Sequence, residues 1–204
     1  LRFGASCNRG VKLAQHELIF LLNSDVAPHA DALKHLYQHF LPDPMESNVF
    51  GVGCLEIETA QNGAYAGKQI LWFEKGLFMH SKAPDFSAGD TAWVTGGSGL
   101  FSRSKWLVIG GFDSLFYPAY WEDIDLSFQA RKRGWKVLFE PKAVVDHNHE
   151  TTNQSVFGQR KIAEMSWRNG LKFAWKNANF SQRIAFLLWQ PYWWWQQAKL
   201  KHAQ

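Results

Sequence analysis

Three carboxylates fall within four positions at Glu122, Asp123 and Asp125, framed by Gly110-Gly111-Phe112-Asp113 before them and Arg131-Lys132-Arg133-Gly134 after. A carboxylate within hydrogen-bond reach of a hydroxyl can take its proton as the oxygen attacks, so the cluster is the first candidate for acid–base chemistry. Ile124, Phe128 and Arg131 recur at helical spacing and Gly134 stands where a helix should end, which predicts a helix over 122–133 with acids in its first turn. Acids there also serve simply as caps and dipole partners, the commoner use of such a pair. The aromatic approach through Phe112, Phe116, Tyr117, Tyr120 and Trp121 favours a pocket that stacks a sugar or a base over a solvated cap.

A second polar cluster follows the apolar run Glu17 to Leu22, which has strand length and the continuous hydrophobicity of a strand buried on both faces of a parallel sheet. Asn23-Ser24-Asp25-Val26 then lies at the carboxyl end of that strand, where open α/β sheets place their ligands. His147, in Asp146-His147-Asn148-His149, ends another predicted strand. Such a His is more often a hydrogen-bonded surface residue than a metal ligand, and a partner carboxylate shifts the balance.

The elements that must position these groups are legible in outline. Phe3 to Gly10 reads as a turn leading into a short helix through Ala14, Ala30 to Phe40 as a helix and Val49 to Ile57 as a strand whose Gly51 and Gly53 permit a bulge or close approach. Residues 58–90 are cut by four glycines, leaving a hairpin, a flexible loop or a lid open. Thr91 to Thr95 is predicted as a strand running into Gly96-Gly97-Ser98-Gly99. That run lacks the GxGxxG pattern and the Walker lysine, so it reads as a tight turn at the pocket's edge rather than a phosphate loop. Trp135 to Phe139 and Ala143 to Val145 read as two strands around Pro141, Arg160 to Trp175 as a basic amphipathic helix, and Phe180 to Leu200 as a helix interrupted at Pro191.

A chain of 204 residues with 46% hydrophobic content suits one domain plus a tail. Cys7 and Cys54 have neither metal nor redox spacing and read as buried free thiols of a reducing compartment. The net charge of +4 is uneven: residues 151–204 carry eight Lys and Arg against the single acid Glu164, and six of the eleven tryptophans. Those tryptophans cluster beside an apolar run instead of spreading along a groove, which argues against nucleic-acid binding. Trp and basic residues together suit the interface of an anionic membrane.

Taken in order, Gly4-Ala5-Ser6-Cys7-Asn8-Arg9-Gly10, Leu21-Leu22-Asn23-Ser24-Asp25-Val26, Gly110-Gly111-Phe112-Asp113, Glu122-Asp123-Ile124-Asp125-Leu126, Gly134-Trp135, and Pro141 followed by His147 resemble the C-terminal two-thirds of a glycosyltransferase family 2 enzyme over about residues 3–175. The resemblance implies an α/β fold, an incomplete GT-A (Rossmann-like) nucleotide-diphospho-sugar transferase domain over 1–155, followed by a basic, Trp-rich helical tail over 156–204. The chain opens at Leu1 without an initiator Met, and the family's first strand-helix-strand unit, which holds the nucleotide, is expected to precede it.

The same resemblance assigns roles. Asp25 matches the last acid of the family's Asp-x-Asp motif and would hold Mg²⁺ or Mn²⁺ on the donor diphosphate, with His147 as second metal ligand. Asn23 replaces the motif's first acid, as in rhamnosyltransferase-like members, which points to a deoxysugar. Asn8, Asn23 and Asp25 fall on the donor side, and Gly97, Tyr120 and Trp121 on the acceptor side. Asp123 matches the general base of inverting transfer, Glu122 is its neighbour and Asp125 is structural. The implied activity is transfer from a nucleotide-sugar to a glycan or lipid-linked acceptor in cell-surface polysaccharide synthesis, in the cytoplasm and peripherally at the inner face of the membrane. The alternative is an inactive carbohydrate- or membrane-binding remnant.

Overall fold

The computed structural model describes residues 3–58, 63–148 and 152–202; His149 lies outside them. In chain order the elements are α1 (Phe3–Leu13), β1 (Leu18–Leu22), β2 (Val26–Pro28), α2 (Ala32–Tyr37), β3 (Val49–Glu58), β4 (Ala64–Ala66), β5 (Gln69–Glu74), β6 (Leu77–Lys82), β7 (Gly89–Asp90), β8 (Ser98–Ser102), α3 (Arg103–Ile109), α4 (Glu122–Lys132), β9 (Lys136–His147), α5 (Thr152–Asn177) and α6 (Phe180–His202). The main sheet is mixed, in the order β1-β8-β3-β9-β2, with β4 beside β3 and β7 beside β9. β3 and β9 run parallel, and β8 is antiparallel to both β1 and β3. The carboxyl ends of β1, β3 and β9 therefore share one edge of the sheet, and there Asn23, Glu56 and His147 meet.

Each face of the sheet buries an apolar layer. Leu36 and Phe40, from α2 and the turn after it, pack on Val52, Leu100 and Val145 on one side; Val11, Trp106, Leu126 and Ala130 from α1, α3 and α4 cover Phe50, Phe101 and Val137 on the other. A register shift between Val49 and Gly51 lets Phe50 and Val52, two residues apart, serve different layers. A third cluster joins Trp121 and Ile124 to Leu77 and Phe78 of the hairpin β5–β6 and to Phe173 and Ala174 of α5. Within the region left open between hairpin, loop and lid, residues 69–82 thus form a hairpin, held by α5.

Several elements differ from expectation. α1 is already helical at Phe3, where a turn was expected through Gly10. β1 is not a central parallel strand: among the described residues it pairs only with β8, antiparallel, and stays half-exposed. No strand forms over 91–95, because the donors there go to separate partners: Thr91 to Val137, Ala92 to Gln69 and Val94 to the Ser127 hydroxyl. The strand comes later, at the fully buried β8. β9 runs unbroken past Pro141, whose neighbourhood is absorbed as a bulge opposite Cys54 and Leu55, with the Lys142 N–H taken by the Glu140 carboxylate. α6 likewise continues through Pro191, on its exposed side, where water can take the carbonyl left without a partner. Among the described residues no helix is long and apolar enough to cross a membrane.

Candidate active site

The turn Thr95–Ser98 ties the candidate residues together. Asn23 donates its backbone N–H to Gly97 O at 2.9 Å, so the motif after β1 rests on this turn. A Cβ on Gly97 would stand 2.4 Å from the Asn23 amide, so any side chain there would have to displace that amide. Gly97, expected on the acceptor side, is buried beneath Asn23. From the same turn Thr95 Oγ1 donates to Glu56 Oε1 at 2.8 Å, and the Ser98 hydroxyl donates to that oxygen as well. Gly96 N–H donates to Asp123.

Glu56, near the end of β3, was not singled out in the sequence because acids at the end of an apolar strand carry no motif. It is buried, and its other oxygen, Oε2, lies 3.3 Å from Nδ1 of His147. His147 turns its Nε2 towards Asp25, 3.7 Å from Oδ2. Backbone pairing fixes this relation: Val26 is the register partner of His147, and Asn148 N–H donates to Asp25 O. Burial pushes the Glu56 carboxyl up, but hydrogen bonds from His147, Ser98 and Thr95 outweigh it and hold it below its ordinary value. The bond to Glu56 raises His147 against the effect of burial, helped by the charges of Glu56, Asp25 and Glu58. Three carboxylates around one imidazole make a place for positive charge, and two metal bonds of about 2.1 Å can span 3.7 Å. The donor set therefore fits a hard divalent cation held by Asp25 and His147, with Glu56 orienting the ring. Among the described residues no group of three or more His, Cys, Asp or Glu could hold a metal ion.

The carboxylate cluster splits into three environments. Asp125 is structural: it accepts Lys176 Nζ at 2.7 Å and Asn177 Nδ2 at 2.9 Å, and Lys176 also binds Asp113 at 2.7 Å. Asp123 is half-buried, and desolvation pushes its carboxyl up to about 6 in spite of N–H groups from Ile124, Asp123 itself and Gly96. Glu122 is pushed further, to about 8, by burial and then by the neighbouring Asp123 charge; only its own N–H opposes this, and among the described residues Oε2 has no hydrogen-bond partner. With more donors aimed at it, Asp123 ionises first. Near neutrality the pair is a carboxylate at Asp123 beside a carboxylic acid at Glu122, each poised for a different task.

The aromatic approach divides: Phe112, Phe116 and Tyr117 line a cavity of about 90 Å³ together with Glu122, while Trp121 packs inward. Phe112, Phe116 and Trp121 are buried, and Trp121 meets His80 at 5.0 Å and Phe173 at 5.0 Å between ring centroids. α5 is the cause, since its buried Asn169 donates through Nδ2 to the carbonyls of Phe116, Ala119 and Tyr120 at 2.8, 2.9 and 3.0 Å. That clamp holds Tyr120 and Trp121 at φ 76° and 78°, a left-handed conformation unfavourable for bulky side chains, directly before Glu122 and Asp123. Asn8, expected on the donor side, uses its amide to bind α1 to α3 and the loop after it: it donates to Phe112 O and accepts from Phe112 N–H and Trp106 Nε1. A polar cavity of about 490 Å³ lies on the far flank, lined among others by Asn8, Asp113, Asp125 and Lys176. It touches none of Asp25, Asp123 and His147, and its Lys176 is already paired.

The profile of the family described as "Glycosyltransferase like family 2" matches residues 3–165. The chain is 26% identical over 148 residues to the pre-mycofactocin glycosyltransferase of Mycobacterium tuberculosis, covering 72% of this chain and 30% of that protein. It is 25% identical over 137 residues to the poly-beta-1,6-N-acetyl-D-glucosamine synthase of Staphylococcus aureus, covering 67% of this chain and 32% of that protein. The chain thus spans about a third of the length of these relatives. Among solved structures, GalNAc-T7 with UDP, GalNAc and Mn²⁺ superposes with a TM-score of 0.56 at 14% identity, over 72% of this chain and 30% of that one. The architecture is that of the GT-A glycosyltransferases.

Proposed function

Since the chain belongs to glycosyltransferase family 2, we propose that the protein transfers a sugar from a nucleotide-sugar donor to a glycan or lipid-linked acceptor with inversion at the anomeric carbon. The observation that carries this reading is the Thr95–Ser98 turn, which binds the Asp123 carboxylate, the Asn23 backbone and the Glu56–His147 pair at one edge of the sheet. Asp123 accepts the proton of the acceptor hydroxyl as its oxygen attacks the anomeric carbon, and the bond to the nucleoside diphosphate breaks on the opposite face. Glu122, protonated, can donate a hydrogen bond to a sugar oxygen without competing as base.

Asp25 and His147 would hold a divalent cation, Mg²⁺ or Mn²⁺, on the diphosphate, and the cation would supply Lewis-acid neutralisation of the leaving group's charge. GalNAc-T7 was solved with UDP and Mn²⁺, in keeping with that assignment. Similarity to a polysaccharide synthase supports a role in cell-surface glycan synthesis. The reading is tested by titrating the chain with a panel of nucleotide-sugars in the presence and absence of Mn²⁺, and by determining the anomeric configuration of any product by NMR. Metal-dependent binding of one donor and an inverted product are expected. Retention of configuration, or donor binding indifferent to metal, would overturn it.

A further inference from the structure

α6 presents an apolar stripe that nothing among the described residues covers. Phe180, Ile184, Leu187, Leu188, Trp194 and Trp195 stand at i, i+4, i+7, i+8, i+14 and i+15, with Pro191 between them, so all fall on roughly a third of the helix circumference. Phe180 is 82% exposed, Leu188 74% and Trp194 70%, far more than large apolar side chains of a packed helix show. The opposite face is firmly seated. Trp193 donates Nε1 to Lys75 O at 2.7 Å and packs on Trp167, Phe186 packs on Trp175, and Gly76 of the β5–β6 turn comes so close that a Cβ there would stand 2.7 Å from Ala185 O. The stripe is therefore held outwards by the packing of the helix itself.

Charge identifies the occupant. Arg183 and Lys199 lie at the two margins of the stripe, each exposed, with Lys199 Nζ 3.5 Å from the Trp195 ring centroid. α6 contains no Asp or Glu, and residues 151–204 contain one acid against eight Lys and Arg. A second copy pairing through this face would bring cations against cations with no acid to offset them. Tryptophans flanked by cations on a helix that cannot span a bilayer suit the headgroup zone of an anionic lipid surface. We propose that the outer face of α6 docks the protein in the plane of an anionic membrane, with the stripe immersed and Arg183 and Lys199 at the lipid phosphates. This goes beyond the transferase reading and stands without it.

The test is co-sedimentation of the chain with phosphatidylcholine vesicles, with and without phosphatidylglycerol, across a salt series. Binding to the anionic vesicles alone, weakening with salt, is expected. Arg183→Gln with Lys199→Gln should lower partitioning by about 25-fold, at about fivefold per cation. Leu188→Glu with Trp194→Glu should abolish it. Circular dichroism checks that the variants fold, and quenching of the unsubstituted chain's tryptophan fluorescence by brominated lipid reads insertion without any substitution. Equal, salt-independent recovery on both vesicle types, no quenching, or a dimer in sedimentation velocity that Leu188→Glu dissolves would each overturn the proposal. So would stronger binding to polyglutamate than to vesicles.

Discussion

Glu56 Oε2 lies 3.3 Å from Nδ1 of His147, on the side of the ring away from Asp25. A carboxylate on one imidazole nitrogen fixes the tautomer and orientation, leaving the other nitrogen for a cation. The relation depends on register: β3 and β9 run parallel and bring Glu56 and Glu58 opposite Val145 and His147.

Glu56→Gln should therefore weaken Mn²⁺ binding by about 10–100-fold, the usual effect of removing a group that orients a ligand. Calorimetric titration of Mn²⁺ reads this directly. Thermal unfolding should change little, because Gln can still accept from Thr95 and Ser98. Unchanged Mn²⁺ affinity would leave Glu56 as a core polar residue and no more.

Glu122 makes stability depend on pH. Its carboxyl titrates at about 8 in the fold, against 4.5 as the ordinary value. A carboxyl raised by folding binds more protons in the folded state, so its contribution is fully present below the unfolded value and is lost as pH rises through the folded one. The melting temperature should fall between about pH 5 and pH 9, by the equivalent of a few kcal/mol. Glu122→Gln, which cannot ionise, should flatten that fall. Parallel melting curves for both proteins across the range would show the burial to be relieved in solution.

How far these relations can be read in the sequence depends on how local they are. The helix of Glu122–Lys132, the strand of Val49–Glu58 and the candidates Asp25, Asp123 and His147 follow from periodicity and motif. Glu56 and Asn169 do not, since each acquires its role from partners that lie 91 and about 50 residues away and no local pattern announces them. The inward packing of Trp121 is hidden for the same reason, since α5 reaches it from about 50 residues on. β8 escaped because Gly99 and the small serines at its ends mimic turn residues, although all five of its positions are buried.

Asn169 offers a way to disturb the site from outside. Its amide satisfies three carbonyls of the loop that holds Tyr120 and Trp121 in left-handed backbone, so Asn169→Ala leaves buried acceptors without donors. A loss of stability of about 1–3 kcal/mol is expected in denaturant unfolding. Donor binding should persist while turnover falls, because the loop leads directly into Glu122 and Asp123 and Asp25 lies elsewhere. Asn169→Asp, which keeps the shape but lacks the donors, should resemble Ala; a variant as stable and active as the parent would remove the clamp from the account.

The roles of Asp123, Asp25 and His147 separate in variants read for both binding and rate. If Asp25 and His147 hold the cation, Asp25→Ala and His147→Ala break the ligand set on the diphosphate, and donor affinity should lose its dependence on Mn²⁺. Asp123 accepts Gly96 N–H on the same turn but faces the proton to be moved, so Asp123→Asn should leave donor affinity nearly intact. Its kcat should fall by roughly 10²–10⁴-fold, the worth of a positioned base, since Asn keeps the shape and cannot take a proton. The unsubstituted protein should lose kcat below about pH 6, where Asp123 is protonated, and this acid limb should be absent from the residual activity of Asp123→Asn. Calorimetry with and without Mn²⁺, beside steady-state kinetics over pH, makes the comparison. Should Asp123→Asn abolish donor binding while His147→Ala keeps the Mn²⁺ dependence, the carboxylates at the start of α4 would be the metal site and the base would have to be sought elsewhere.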